Sequence, residues 1–215
     1  MSVDFRPFIE RLARAETAPD AYNPFGAGDN PYNAIRRANL ECFLNDVYAR
    51  QPKFALIGEA PGYKGMRLTG VPLMSRRMLL TGIPSLGMFG AAQGYADVPE
   101  PGFERIQSEQ SGTIAWGMLA ELGIVPIVWA AFPFHPHQSD KALTNRPPRR
   151  PEVKMGASFL LELLDIFKPQ KVIAFGNVAY GSLTELGVPC VKIRHPAQGG
   201  KNDFVAGLRR EVSSG

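Results

Sequence analysis

Apolar positions along the chain change their period several times, and each change marks an element. Phe5, Phe8, Ile9 and Leu12 share one helical face, and a second helical segment, Pro31 to Ala49, carries Ile35, Leu40, Cys42, Phe43, Leu44 and Val47. Asn23-Pro24-Phe25-Gly26 breaks the chain between them. Lys53 to Ile57 is a short apolar run between Pro52 and Gly58, which predicts a strand buried on both faces. After a long stretch punctuated by glycine and proline, Ile114, Met118, Leu119 and Leu122 restore a helical period from Ser111 to Leu122, with Gly123 placed to end it. Val125 to Phe132 is a second predicted buried strand, and Pro133 to Pro151, polar, basic and proline-rich, a loop. Glu152 to Phe167 is helical, with Phe159, Leu160, Leu163, Leu164 and Phe167 on one face and Pro169 as its stop. Lys171 to Phe175 is a third strand. Gly176-Asn177 then turns into a helix ending near Gly187, Pro189 to Ile193 is a fourth strand, and Asn202 to Val212 a closing helix.

Alternating strands and helices, the strands apolar on both faces, predict an α/β fold. The expected form is a three-layer α/β/α sandwich around a four-stranded parallel sheet, joined by right-handed crossovers. No internal repeat or linker divides the 215 residues, so one domain is expected over 1–215, with residues 1–50 as a helical N-terminal extension packed on it. Hydrophobic residues make up 45% and charged residues 20%, which excludes an intrinsically disordered chain. Cys42 and Cys190, the only cysteines, each sit in an apolar stretch and are expected as buried free thiols; two cysteines cannot supply a cysteine-only zinc or iron–sulfur site. A reducing cytoplasm is the expected compartment. No apolar run approaches the roughly 20 residues of a membrane span, so neither signal peptide nor anchor is expected. The net charge of +4 permits a nucleic-acid partner without demanding one.

In open parallel sheets the ligand crevice forms beyond the carboxyl ends of the strands. The four predicted strands deliver Gly58-Glu59-Ala60-Pro61-Gly62-Tyr63, Pro133-Phe134-His135-Pro136-His137, Gly176-Asn177 and Arg194-His195-Pro196 to that edge, which gathers all three histidines of the chain. His195 follows a buried strand directly, and Pro196 restricts it to extended geometry. Glu59 is the one carboxylate on this edge; the turn around it can hold an anion or a carbonyl oxygen on its backbone N–H groups, or Glu59 can cap that turn. His135, His137, His195 and Glu59 could together hold zinc or iron, but the helix-borne histidine pairs of metalloproteases are absent and no metal is assigned. Lys64, Arg67, Arg76 and Arg77 flank the first loop, and Lys141, Arg146, Arg149, Arg150 and Lys154 form a basic run; cations rimming a cleft lined by Tyr63, Phe89, Tyr95, Phe132 or Phe134 suit a phosphate backbone.

Gly58-Glu59-Ala60-Pro61-Gly62, Thr69-Gly70-Val71-Pro72-Leu73, Asn145-Arg146-Pro147-Pro148, Lys171 to Ala179 and His195-Pro196-Ala197 together resemble the uracil-DNA glycosylase superfamily, in that family's order from about Lys53 onward. The likeness is nearest the bacterial and archaeal branch whose first motif is GE(A/G)PG, although the cysteines of that branch's iron–sulfur cluster are missing. The resemblance implies a monomeric, cofactor-free DNA repair enzyme that flips a deaminated nucleotide out of the stack and hydrolyses its glycosidic bond, leaving free uracil and an abasic site.

On that resemblance His195 and Glu59 are the catalytic residues, His195 donating to the base carbonyl and Glu59 orienting water or stabilising positive charge on the sugar. Gly58, Ala60, Pro61, Gly62, Tyr63, Leu73, Ala130, Phe132, His135 and Asn177 line the base pocket. Lys64, Arg67, Arg146, Arg149, Arg150, Arg194, Gln198 and Lys201 contact DNA, with Ala197 to Lys201 as the wedge that helps extrusion. Three positions depart from the pattern. Ala60 stands where classical members carry a water-activating Asp, Ala130 where relatives place an Asn that reads the uracil amide edge, and Leu73 where many have a stacking Phe, a role Tyr63 could fill. Two other functions fit the same residues: a lesion-binding homologue without turnover, and a glycosylase for another deaminated base such as hypoxanthine or xanthine.

Overall fold

The computed structural model describes residues 3–28 and 30–214. Expectations for residues 1, 2, 29 and 215 lie outside the described residues. The elements in chain order are α1 (Arg6–Arg14), β1 (Ala21–Tyr22), α2 (Tyr32–Ala49), β2 (Phe54–Gly58), α3 (Met66–Thr69), α4 (Arg76–Thr81), α5 (Gln110–Leu122), β3 (Ile127–Ala130), β4 (His135–Pro136), α6 (Arg150–Phe167), β5 (Lys171–Phe175), α7 (Asn177–Glu185), β6 (Val191–Ile193) and α8 (Lys201–Ser213). Parallel strands in the order β3-β2-β5-β6 form the main sheet, with Gly58 beside Ala130 and Phe175 beside Ile193. This is the expected α/β arrangement of a four-stranded parallel sheet flanked by helices.

Successive strand residues point to opposite faces, and the packing follows that alternation. On one face Phe175 meets Phe204 of α8, and Ile193 packs against Gly207 of α8. On the other, Trp129 meets Phe8 of α1, which in turn meets Phe159 of α6. The N-terminal helices are bound into the same core: Phe5 stacks on Phe167, and Tyr48 of α2 meets both rings edge-on. One contiguous apolar core thus runs from Phe5 to Leu208. No described helix is long and apolar enough to cross a membrane.

Several boundaries differ from the sequence pattern for identifiable reasons. β3 and β6 start late, after Pro126 and Pro189, because proline offers no N–H to the ladder. The N–H groups of Ala131 and Phe132 still reach the carbonyls of Gly58 and Glu59, so the pairing continues beyond the regular strand. Helix α6 starts early because the Glu152 carboxylate accepts the Arg149 N–H at 2.6 Å and Pro151 fits the first turn. The two-residue strands β1 and β4 pair antiparallel, Ala21 with Pro136 and Tyr22 with His135, β1 within the extension expected to be helical and β4 within the segment expected to be a loop. Cys42 and Cys190 are free but only half-buried, each packed at the edge of the core.

Candidate active site

A cleft of about 1160 Å³ opens beyond the carboxyl ends of the strands. Its walls come from the loops after β2 (Glu59 to Gly62), after α3 (Pro72, Leu73), before α6 (Asn145 to Pro147), after β5 (Gly176 to Val178) and after β6 (Arg194 to Gln198), together with the start of α5. Val128, Ala130, Gly58, Phe175 and Ile193 supply the strand ends. A Cβ at Gly58 would overlap the Phe175 ring, which would have to move to admit a side chain there.

His195 is half-buried on the wall, its ring 5.4 Å from that of Phe175 at 37°. The chain folds back so tightly after it that a Cβ at Gly200 would strike the His195 carbonyl oxygen. This return brings the Ala197 N–H to 3.1 Å from His195 Nδ1. A backbone N–H can only donate, so Nδ1 accepts, and the neutral ring carries its proton on Nε2. Burial, helped by the Arg194 charge, holds the imidazole below the ordinary histidine range. At neutral pH the fold therefore presents an uncharged imidazole with a fixed tautomer.

Glu59 also lines the cleft and is half-buried, with no hydrogen-bond donor or counter-charge on its carboxylate among the described residues. Burial alone raises its pKa above the usual carboxylate range, which favours a group able to take a proton. The neighbouring Ala60 N–H donates to no protein carbonyl among the described residues. Leu73 holds a left-handed backbone with φ of 56°, unusual for a residue with a branched side chain, and projects into the cleft from the loop after α3.

Of the expected pocket residues, Gly58, Ala60, Pro61, Gly62, Leu73, Ala130 and Asn177 line the cleft together with Glu59 and His195. Three do not. Phe132 is fully buried edge-on to Phe134, and Phe89, Tyr95 and Phe134 are core residues as well. His135 is sealed between two loops, its Nδ1 2.8 Å from the Pro61 carbonyl and its Nε2 3.3 Å from that of Ala142, and desolvation lowers its pKa to about 4. Tyr63 lies outside the cleft lining, its N–H donating to Asn145 and its ring beneath the Lys64 ammonium. Among the described residues no three His, Cys, Asp or Glu side chains converge as metal ligands would.

The expected DNA contacts also divide. Arg67 is buried against Glu100, which also pairs with the fully buried Arg36 at 2.6 Å. Arg146 reaches the cleft wall but binds Glu152 at 2.6 Å and Asp20 at 3.1 Å, and Arg149 is paired with Asp20. Those two arginines hold the Asp20 carboxyl down at about 2. Arg76 is engaged likewise by Asp97 at 2.6 Å. Arg150, at the start of α6, is exposed away from the cleft lining. Arg194 and Gln198 are exposed on the cleft wall, and Lys201 is exposed at the start of α8.

Phe175 and Lys192 are among the lining residues that the sequence pattern did not single out. Phe175 is hidden there as the last member of an apolar strand, although its place just before Gly176 puts it at the cleft end of β5. Lys192 alternates with core-facing Ile193, and that alternation was its only signal.

A crystal structure of wild-type Pedobacter heparinus SMUG2 superposes with a TM-score of 0.59 over 96% of this chain and 95% of the other, at 13% identity, and so shares the fold. No curated protein matches the sequence. Residues 45–208 match the family model for the uracil DNA glycosylase superfamily, a span that contains every loop of the cleft. The chain belongs to the uracil DNA glycosylase superfamily.

Proposed function

We propose that this protein is a monofunctional DNA glycosylase that extrudes uracil into the cleft and hydrolyses its N-glycosidic bond. The observation that carries this reading is His195: a neutral imidazole on the cleft wall, its Nδ1 occupied by the Ala197 N–H. In the reaction the bond between sugar C1′ and base N1 breaks, and its electron pair leaves with the base. The His195 Nε2–H donates to the base O2 as negative charge gathers there, assisted by backbone N–H groups of Glu59 and Ala60. Water adds to C1′, and the Glu59 carboxylate takes its proton; the raised pKa supports this role and compensates for Ala60. Neutrality of His195 is integral, since a proton on Nδ1 would set two donors against each other and loosen the Ala197–Gly200 turn.

Phe175, beside His195, is the aromatic surface against which the base packs, in place of Tyr63. Ala130 and Gly58 leave the floor without polar side chains, so the amide edge of the base is read from the walls, where Asn145 and Asn177 stand. With only two cysteines, the N-terminal helices, through Phe5 and Tyr48 on Phe167, supply the support that an iron–sulfur cluster gives the GE(A/G)PG branch.

The test is incubation with single- and double-stranded DNA containing one uracil, in EDTA, followed by alkali. Strand cleavage at the uracil is expected. Retention of the DNA with no alkali-labile site would replace this reading with a lesion binder. Cleavage at hypoxanthine or xanthine but not uracil would reassign the base.

A further inference from the structure

Beyond Asn177, helix α7 carries a surface that the reaction does not use. It begins inside the cleft at Asn177 and Val178, then leaves it, so that Asn177, Tyr180, Gly181 and Thr184 form its exposed side at helical spacing. Tyr180 is 38% exposed, one of the few large hydrophobic side chains left in contact with solvent among the described residues. Lys192 places its ammonium 5.3 Å from the centre of the Tyr180 ring and at the same time lines the cleft. Ile193, the next residue, turns to the opposite sheet face against Gly207, which fixes Lys192 on the α7 side. None of the ion pairs among the described residues involves Lys192, Arg194 or Lys201. The cleft is thus continuous, through Lys192, with an aromatic face on a cationic rim.

We propose that Tyr180 and Lys192 form a subsite for single-stranded DNA next to the extruded nucleotide. A flanking base stacks on the solvent-exposed part of the Tyr180 ring, and Lys192 binds a phosphate between that base and the cleft. An aromatic ring with an adjoining cation is the arrangement that holds single strands without reading their sequence, because every base offers a π face and every linkage a phosphate. A duplex keeps its flanking bases stacked within itself and gains little from Tyr180. The subsite therefore favours single-stranded substrate. The inference rests on the cleft as a DNA site but not on turnover.

Fluorescence anisotropy with labelled, lesion-free oligothymidylates tests it, using a short oligomer that fills only the cleft and a longer one that extends past it. Tyr180→Ala is expected to weaken the long single strand by about fivefold or more, and to leave the short oligomer and a duplex of equal length nearly unchanged. Tyr180→Phe keeps wild-type affinity, since stacking needs the ring and not the hydroxyl. Lys192→Gln lowers the salt dependence on the long strand by about 0.7 in log–log slope. Unchanged affinity in Tyr180→Ala, or an equal loss on duplex, would overturn the subsite. Uracil release measured on the same variants separates the two proposals: no release by wild type, with the Tyr180→Ala loss intact, removes the catalytic reading and supports the subsite.

Discussion

The two sides of the cleft are both rich in cations, yet they use them differently. On the side built from residues 59–67 and 133–152, Arg67, Arg146 and Arg149 are taken up by carboxylates, Glu100 and Asp20 from distant segments and Glu152 from the first turn of α6. On the side built from β6 and the start of α8, Lys192, Arg194 and Lys201 have no such partners among the described residues. The first set locks loops together, and the second is open to a phosphate backbone. A run of basic residues is consequently a poor guide to a nucleic-acid surface, because the partner that neutralises it can lie more than a hundred positions away, as Asp20 does from Arg149. The isolated cations of the β6 side give the stronger indication.

The most severe way to break this division is at Glu100. Glu100→Gln leaves Arg36 and Arg67 buried without a counter-charge, and the expected cost is about 3–5 kcal/mol, a fall in Tm of roughly 6–20 °C by calorimetry. A fall of less than a few degrees would place that cluster among the dispensable surface pairs. On the open side, Arg194→Gln with Lys201→Gln should leave Tm unchanged and lower the salt dependence of single-strand binding by about 0.7 per residue. Equal slopes in wild type and double variant would end their assignment to DNA.

A subtler change moves one side toward the other. Asp20→Asn releases Arg149, which is half-exposed, and weakens the hold on Arg146; binding to lesion-free DNA should tighten and its salt slope steepen by less than one unit. No change in slope would mean that Arg149 cannot reach a phosphate even when free. Glu59, on the first side, lines the cleft half-buried and with no partner among the described residues. Its pKa is raised in the folded state, so wild type loses stability relative to Glu59→Gln as pH climbs from near the unfolded value of about 4.3 through the folded one. The variant should melt higher than wild type at pH 7 and equally near pH 3.5. A lower melting point at pH 7 would show that the carboxylate is held by a favourable contact.

The parallel sheet and its helices were legible because β2, β3 and nearly all of β5 are apolar on both faces and the helices carry clear stripes, as in Phe159, Leu160 and Leu163. The β1–β4 pair was not, since two residues per strand have no period and their pairing joins positions over a hundred apart. In the site, the loops after strands, with Glu59 and His195, follow from the rule that places ligands at the carboxyl ends of a parallel sheet. His135 obeys the same rule yet turns into the protein, because the Pro61 and Ala142 carbonyls offer it partners that no sequence pattern records. Phe175 went unread for the reverse reason: as an apolar strand residue it is indistinguishable from core until Gly58 is seen to make room for its ring.

The role proposed for His195 is that of a neutral hydrogen-bond donor to a departing base. Single-turnover release of uracil from a uracil-containing oligonucleotide, measured for wild type and His195→Ala with DNA affinity determined in parallel, tests it directly. Release by wild type, a loss on the order of 100- to 1000-fold in the variant, and nearly equal affinities are expected. Equal rates in the two proteins, or a loss matched by an equal loss of affinity, would contradict it.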